Sequence, residues 1–361
     1  MKPNEFPLFR TKVDGLSKVF NLADSEERRE YFRAKVGNEI DIIRNYLANR
    51  TFVAYMIGKK SSGKGTYTKL FAEAIGLTDK IRHVSVGDTI RSASKVLENE
   101  GEEKDQLIKF LDNNYRGFQP LSEILKSFES RNTEKLMPTE LVLTLLKWVL
   151  REEERKTIFL DGFPRDMDQI SYSLFFRDLI GYRDDPDFFV FIDLPEMVID
   201  ERVKTRVVCP NCQSPRNIRL LPTKEAGYDE NNKTFYLKCD EVGCNDARMV
   251  TKEGDDKGIE PIRGRLVKDG EIMGKLLGLE GVPKVLLRNS IPVNIARDYV
   301  DDYEITPAYK YKWDEKAEKV TRFEESWIIR DDEGIDSYSL LAPPVTLSLI
   351  KQTADILKNL T

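Results

Sequence analysis

The segment Gly58-Lys59-Lys60-Ser61-Ser62-Gly63-Lys64-Gly65-Thr66 joins a short apolar run to a helical stretch. Glycines at this spacing let the backbone wrap a phosphate chain with successive amides pointing inward. The start of the following helix adds positive potential, and Lys64 is placed to reach the outer phosphates. The usual hydroxyl residue after the lysine is replaced by Gly65, with Thr66 next. The alternative is a glycine-rich turn carrying an exposed lysine. A second group of residues has different chemistry. Cys209-Pro210-Asn211-Cys212 forms one knuckle, Cys239 and Cys244 a second, and these are all the cysteines of the chain. Thiolate pairs so spaced suit a closed tetrahedral site, so a structural Zn2+ on Cys209, Cys212, Cys239 and Cys244 is expected, with disulfides and unligated thiols as competing readings. A small polar segment has little core of its own, and metal ligation would supply its folding energy.

These residues need a frame. Phe52 to Ile57, Thr157 to Leu160 and Phe188 to Leu194 are short apolar runs with helical sequence near each. Strands alternating with helices imply an α/β fold, a parallel sheet covered on both faces. Two polar excursions, about 92–135 and 207–262, read as insertions on the carboxyl edge of that sheet, where ligands bind in such folds. Residues 1–50 read as an N-terminal helical extension, in which Phe32, Val36, Ile40, Ile43 and Leu47 form one apolar face packed on the domain behind it. Near the other end, Tyr299 to Trp313 reads as an edge strand or packing surface. Val320 to Ile329 reads as a strand, and Val345, Ile350, Ile356, Leu357 and Leu360 line a closing helix.

Composition narrows the function classes. Of 361 residues 40% are hydrophobic, enough to bury a core, and 57 Lys plus Arg nearly balance 62 Asp plus Glu. The net charge of −5 gives no polybasic field toward nucleic acid or an anionic membrane. No apolar run approaches the roughly 18 to 20 residues that span a bilayer, and Met1-Lys2-Pro3-Asn4 leads into no signal-peptide core, so a soluble cytoplasmic protein is expected. The single histidine, His83, excludes chemistry needing two imidazoles and reads as a satisfied, partly buried side chain.

Three further segments stand in order along the chain: Ser85-Val86-Gly87-Asp88-Thr89-Ile90-Arg91, Asp161-Gly162-Phe163-Pro164-Arg165, and Pro195 to Arg206 with Arg202 between. With the Gly63-Lys64-Gly65-Thr66 ending of the first motif, they make the chain resemble the adenylate kinases and related nucleoside monophosphate kinases. The likeness covers about 51–91, 136–209 and 255–267. It implies a P-loop NTPase fold: a three-layer core with helices on both faces of a parallel sheet, a helical acceptor-binding insertion and a zinc-ribbon lid. The implied division is a core of 51–90, 141–202 and 266–361 with an addition at about 299–345, an acceptor insertion of 91–140 and a lid of 203–265. The implied activity is phosphoryl transfer from MgATP to AMP giving two ADP, by a chain expected to act as a monomer, with Mg2+ beside ATP and structural Zn2+ in the lid.

Residue by residue, the resemblance implies that Gly58, Ser61, Ser62, Gly63, Lys64, Gly65 and Thr66 hold ATP phosphates. Arg202 would stack on the ATP adenine, and Arg206 and Arg265 would move onto the transferring group. Asp88 and Asp161 would hold waters on Mg2+. Ser85, Val86, Arg91, Gly162, Arg165 and Arg265 would surround the acceptor, Gln169 would bond its adenine, and Lys135, Leu136 and Met137 would cover that base. The turn around Asp331 to Ser337, after the presumed last strand, would touch the ATP base. The chemistry suits these residue types, because phosphoryl transfer needs charge neutralisation and in-line positioning and a nucleotide acceptor needs no general base. Departures exist. Val86 replaces a family threonine, the second cysteine pair and the ribbon between the pairs are longer than usual, and the family arginine before Asp255-Asp256 is missing, leaving Lys252 or Arg263 to supply its charge. These keep open a kinase for CMP, UMP or GMP, and a weakly catalytic nucleotide sensor.

Overall fold

The computed structural model describes residues 6–129, 137–151, 155–252 and 254–359. Leu136 and Lys135, expected over the acceptor base, and Leu360, expected on the closing helix, lie outside them. The first helix, α1 (Ser25–Leu47), begins where the Asp24 carboxylate accepts from the amides of Glu26 and Glu27, with glutamates in its positive first turn. The five positions of the expected apolar face, Phe32, Val36, Ile40, Ile43 and Leu47, are all buried. Next come β1 (Val53–Gly58), α2 (Lys64–Ile75), β2 (Ile81–Ser85), α3 (Val86–Glu98), α4 (Glu102–Asn114), α5 (Leu121–Glu129), α6 (Thr139–Leu150), β3 (Thr157–Asp161), α7 (Gln169–Ser173), α8 (Phe176–Leu179), β4 (Asp187–Asp193) and α9 (Glu196–Lys204).

The lid segment follows as β5 (Arg206–Val208), β6 (Pro215–Asn217), β7 (Ala226–Asp229), β8 (Thr234–Leu237) and β9 (Val250–Thr251), and α10 (Arg263–Leu277) returns the chain to the core. The remainder is β10 (Lys284–Arg288), β11 (Ser290–Pro292), α11 (Val293–Tyr299), β12 (Ala308–Asp314), β13 (Lys319–Glu325), β14 (Ile328–Arg330), β15 (Asp336–Ser339) and α12 (Ala342–Asn359).

Five strands in the order β10-β4-β1-β3-β2 pair in parallel. Their alternation divides the core in two. Ala54, Met56, Phe159, Phe188, Val190 and Val285 face a layer built from α1, α2 and α12. Val53, Tyr55, Ile57, Leu160, Phe189 and Phe191 face α6, α10 and Phe176. Both faces being buried explains why these strands read as unbroken apolar runs. β1 sits between β3 and β4, so the chain crosses in both directions from it, and the segment leaving its carboxyl end opens into the crevice that this reversal creates.

The expected strand Val320 to Ile329 is corrected. It is broken into β13, which pairs only with β12, and β14, which pairs with β15, and neither joins the parallel sheet. The last parallel strand is β10, whose apolar core of three residues between Lys284 and Arg288 is too short to stand out in the sequence. Asp331 to Ser337 is accordingly the turn and start of a hairpin rather than a loop leaving the core sheet.

Candidate phosphoryl-transfer site and thiolate cluster

The loop after β1 turns twice through the left-handed region, at Ser61 (φ 65°) and Gly63 (φ 96°), before α2 begins. A side chain at Gly63 would strain that conformation and bring its Cβ within 3.2 Å of the Tyr67 ring. Lys64 Nζ donates back to the carbonyls of Gly58 (3.0 Å) and Lys59 (3.1 Å) and stands 3.6 Å from Asp161 Oδ1. The Ser62 hydroxyl is fully buried and has no hydrogen-bond partner among the described residues. Burial would push the Asp161 carboxyl up, but the His83 imidazole and the Lys64 ammonium bring it below the ordinary carboxylate value. His83 Nε2 lies 3.8 Å from Asp161 Oδ2, so this histidine stands beside the site.

On the other side of the crevice, Ser85 ends β2 and its hydroxyl accepts from the Asp88 amide, starting α3. Arg91 pairs with Asp88 one turn earlier on that helix. Val86 is buried, its Cβ 3.5 Å from where a side chain on Gly162 would project, so the hydroxyl missing at this position is replaced by apolar packing against the turn after β3. Arg165 has no ion pair among the described residues, and burial, then Arg265, pushes its guanidinium below the usual value. Gln169 is buried, and its Oε1 accepts from the Arg165 amide at 2.8 Å. Met137 packs at the edge of the two clusters that meet there.

The lid side supplies more cations. Arg202 Nη1 donates to the Ser61 carbonyl at 3.4 Å, and Arg206 forks onto Asp255 with two bonds of 2.7 Å. Arg265 is 3.9 Å from Asp269, whose Oδ2 accepts from the Lys60 amide at 3.2 Å. Burial, then Arg265, Arg206 and Lys252, holds the Lys60 ammonium below its usual value. Arg263, the other residue expected to supply the missing arginine's charge, pairs with Glu260 and lies 4.0 Å from Glu196.

Reading the sequence gave no role to Asp269 and none to Lys60 beyond its place in the loop motif, and it did not foresee that Glu196, within the Pro195 to Arg206 motif, and Asp332, within the Asp331 to Ser337 turn, together hold Lys59 at 2.9 and 3.3 Å. Asp269 carried one signal, since it stands four residues after Arg265 on a helix. Phosphate-loop amides and clustered cations, several without an acidic partner among the described residues, form a rim that can neutralise a polyphosphate. A cleft of about 690 Å³ also opens at the amino ends of the strands, where Arg155 pairs with Asp185; it is at the opposite end of the sheet from this rim.

All four cysteines meet in the lid segment. Cys209 and Cys244 sulfurs are 3.8 Å apart, Cys212 and Cys239 3.7 Å, and all four lie within 4.8 Å of one another. No pair is bonded as a disulfide. Four thiolates about 2.3 Å from a tetrahedral Zn2+ are separated by about 3.8 Å along each edge, so the donor set fits that ion. Three of the four sulfur residues are buried, with Val207, Leu237 and Met249 around them, a cluster too small to fold by itself.

No family model matches the chain. It is 30% identical over 216 residues to the adenylate kinase of Thermotoga neapolitana, covering 59% of this chain and 79% of that protein. It is 28% identical over 232 residues to the adenylate kinase of Ruminiclostridium cellulolyticum, covering 64% and 92%. To the UMP-CMP kinase 2 of Oryza sativa subsp. japonica it is 28% identical over 188 residues, covering 52% and 57%. No described helix is long and apolar enough to cross a membrane. The parallel sheet, the loop after β1, the converging cations and these likenesses agree, and the chain belongs to the adenylate kinase family of nucleoside monophosphate kinases.

Proposed function

We propose that the chain transfers the γ-phosphoryl group of MgATP to AMP, giving two ADP. The core (51–90, 141–202, 266–361) carries the phosphate loop, residues 91–140 close over the acceptor, and residues 203–265 form the lid. A phosphate oxygen of the acceptor attacks γ-phosphorus in line, the bond to the β–γ bridging oxygen breaks, and ADP leaves with that electron pair. Lys64 and the loop amides from Gly58 to Thr66 hold the donor phosphates, Arg91 and Arg165 the acceptor phosphate, and Arg206 and Arg265 the group in transit. In this reading Arg206 exchanges Asp255 for phosphate when substrate arrives. Lys60 and Lys252 add the positive charge that an arginine before Asp255 would otherwise bring. Asp88 and Asp161 suit the waters around Mg2+, which when bound neutralises donor charge. Closure of the lid excludes water and so suppresses hydrolysis.

The observation that supports AMP is the Gln169 hydrogen bond. An amide N–H only donates, so the Arg165 amide fixes Oε1 toward itself and leaves the Nε2 hydrogens as the donors presented to a base. Those donors match an unprotonated ring nitrogen such as adenine N1 and clash with the N–H of guanine N1 or uracil N3. Cytosine N3 is also an acceptor, and the likeness to a UMP-CMP kinase makes CMP the second reading. The test is transfer from MgATP to AMP, dAMP, CMP, UMP and GMP side by side, with Arg165→Ala as the control. AMP is expected to be preferred, and Arg165→Ala to lose transfer by about 10²-fold or more while keeping ATP binding. Preference for CMP selects the second reading, and preference for UMP or GMP refutes the donor argument.

A further inference from the structure

The β12–β13 hairpin lies on the lid. Trp313 stacks on Tyr228 of β7 with ring centres 5.2 Å apart and planes 22° from parallel. Tyr311 stacks on Phe235 of β8 at 5.6 Å and 29°. The Tyr309 amide donates to the Arg219 carbonyl (2.8 Å), the Tyr311 hydroxyl to the Ile218 carbonyl (2.6 Å) and Arg322 Nη1 to the Thr223 carbonyl (2.8 Å). These contacts fall on the lid strands and on the connection between β6 and β7.

The other end of the hairpin is tied to the core. Thr306 donates its amide to the Ser339 carbonyl of β15 at 2.8 Å, and Ile305 bridges to Leu340. Asn289 receives the Ser339 hydroxyl at 2.7 Å, donates its side-chain amide to the Leu340 carbonyl at 2.9 Å and its backbone amide to the Asp193 carbonyl of β4 at 3.0 Å. Ala308, Trp327 and Ile329, at the foot of the hairpin, are buried with Val198, Val203 and Leu266. A lid swinging away alone must break two aromatic stacks and three hydrogen bonds. A lid carrying the hairpin with it must open the buried foot.

We propose that the β12–β13 hairpin is a brace that holds the lid over the phosphate loop, and that Tyr311 and Trp313 are positioning residues acting through Arg206 and Lys252. The inference rests on the reading that the phosphate loop and lid bind the phosphate donor. A lid held near its working position gives a larger fraction of binding-competent molecules, and apparent donor affinity falls in proportion when that fraction falls. The acceptor site, built on α3 and the turn after β3, has no contact with the hairpin among those just described and is insulated from its loss.

The experiment compares the full chain with Tyr311→Ala/Trp313→Ala and with Trp313→Phe. KM for MgATP, KM for the preferred nucleoside monophosphate, kcat and bound zinc are measured on each, with amide exchange of β7 and β8 read in the absence of nucleotide. The double variant is expected to raise KM for MgATP about tenfold or more, leave the acceptor KM within twofold, keep the parent's metal content and exchange faster in the lid. Trp313→Phe keeps a ring in the stack and is expected to stay within threefold of the parent. Unchanged KM for MgATP and unchanged exchange in a metal-replete double variant overturn the brace. So does loss of metal with both KM values raised, because the hairpin is then part of the lid's own fold. If the parent transfers phosphate to no acceptor, the functional reading fails, and the exchange comparison still decides the brace.

Discussion

Asp193, at the carboxyl end of β4, is a charge the fold holds at a cost. Burial lifts its carboxyl from 3.8 to about 6; Arg288, its register partner on β10, opposes the rise, while Asp332 and Asp331 add to it. Because the folded state holds the proton more tightly than the unfolded chain, its contribution to stability is fully present below about pH 4 and is lost as pH rises through about 6. A rise of that size corresponds to a ceiling of about 3 kcal/mol at pH 7.5. Asp193→Asn removes that cost while keeping size and shape. Urea unfolding at pH 8, 7, 6, 5 and 4 is expected to show the variant more stable by about 1.5 to 3 kcal/mol at pH 7 and above, with the gain shrinking toward zero near pH 4. A gain independent of pH refutes the argument, since the carboxyl would then titrate alike in the folded and unfolded chain, and so does a loss of stability at pH 8, since the ionised carboxylate would then be supported by contacts stronger than its burial.

Two other perturbations test the additions to the kinase core. Stripping metal with a strong chelator is expected to release zinc bound by Cys209, Cys212, Cys239 and Cys244, unfold the lid strands and raise KM for MgATP, while the core melts at its former temperature; amide exchange of β5 to β8 checks this, and unchanged exchange after metal loss counts against a structural ion. Lys35 is fully buried, bonded to Glu304 at 2.8 Å and Asp301 at 2.7 Å, while Tyr31 donates to the same Glu304 at 2.6 Å. Lys35→Met strands the glutamate and is expected to cost about 3 to 5 kcal/mol in urea unfolding, with Lys35→Met/Glu304→Gln recovering at least half.

Much of the site was legible because each part of it is local. The phosphate loop, Ser85 to Arg91 and Asp161 to Arg165 each lie at the end of one strand, so a strand pattern followed by a motif places them without knowledge of the tertiary fold. The cysteine pairs were legible for a similar reason, because each knuckle is one turn of chain. Reading failed where placement depends on contacts between distant segments. Asp332 reaches Lys59 across 273 residues of chain, and no local pattern announces that. The stretch Tyr299 to Trp313 read as an edge strand or packing surface; its end forms the hairpin strand β12, but the partner of that strand's aromatic face, the lid, could not be inferred from aromatic spacing. β10 was hidden because a strand of five residues with charged ends looks like a loop until β4 is found beside it.

The departures from the family pattern expected from the sequence form a consistent set when the proposed function is followed through the charges. The arginine absent before Asp255 leaves that acid to Arg206, which forks onto it. Lys252 comes from the lid and Lys60 from the phosphate loop, and each alone is a point charge on a flexible stem. In the proposed reading, these two lysines do the work of one preorganised guanidinium only if the lid is held where both converge. An element that fixes the lid therefore matters more here than it would in a chain with the arginine, and the β12–β13 hairpin, tied to β15 at its foot and stacked on β7 and β8 at its tip, occupies the position from which it can do so.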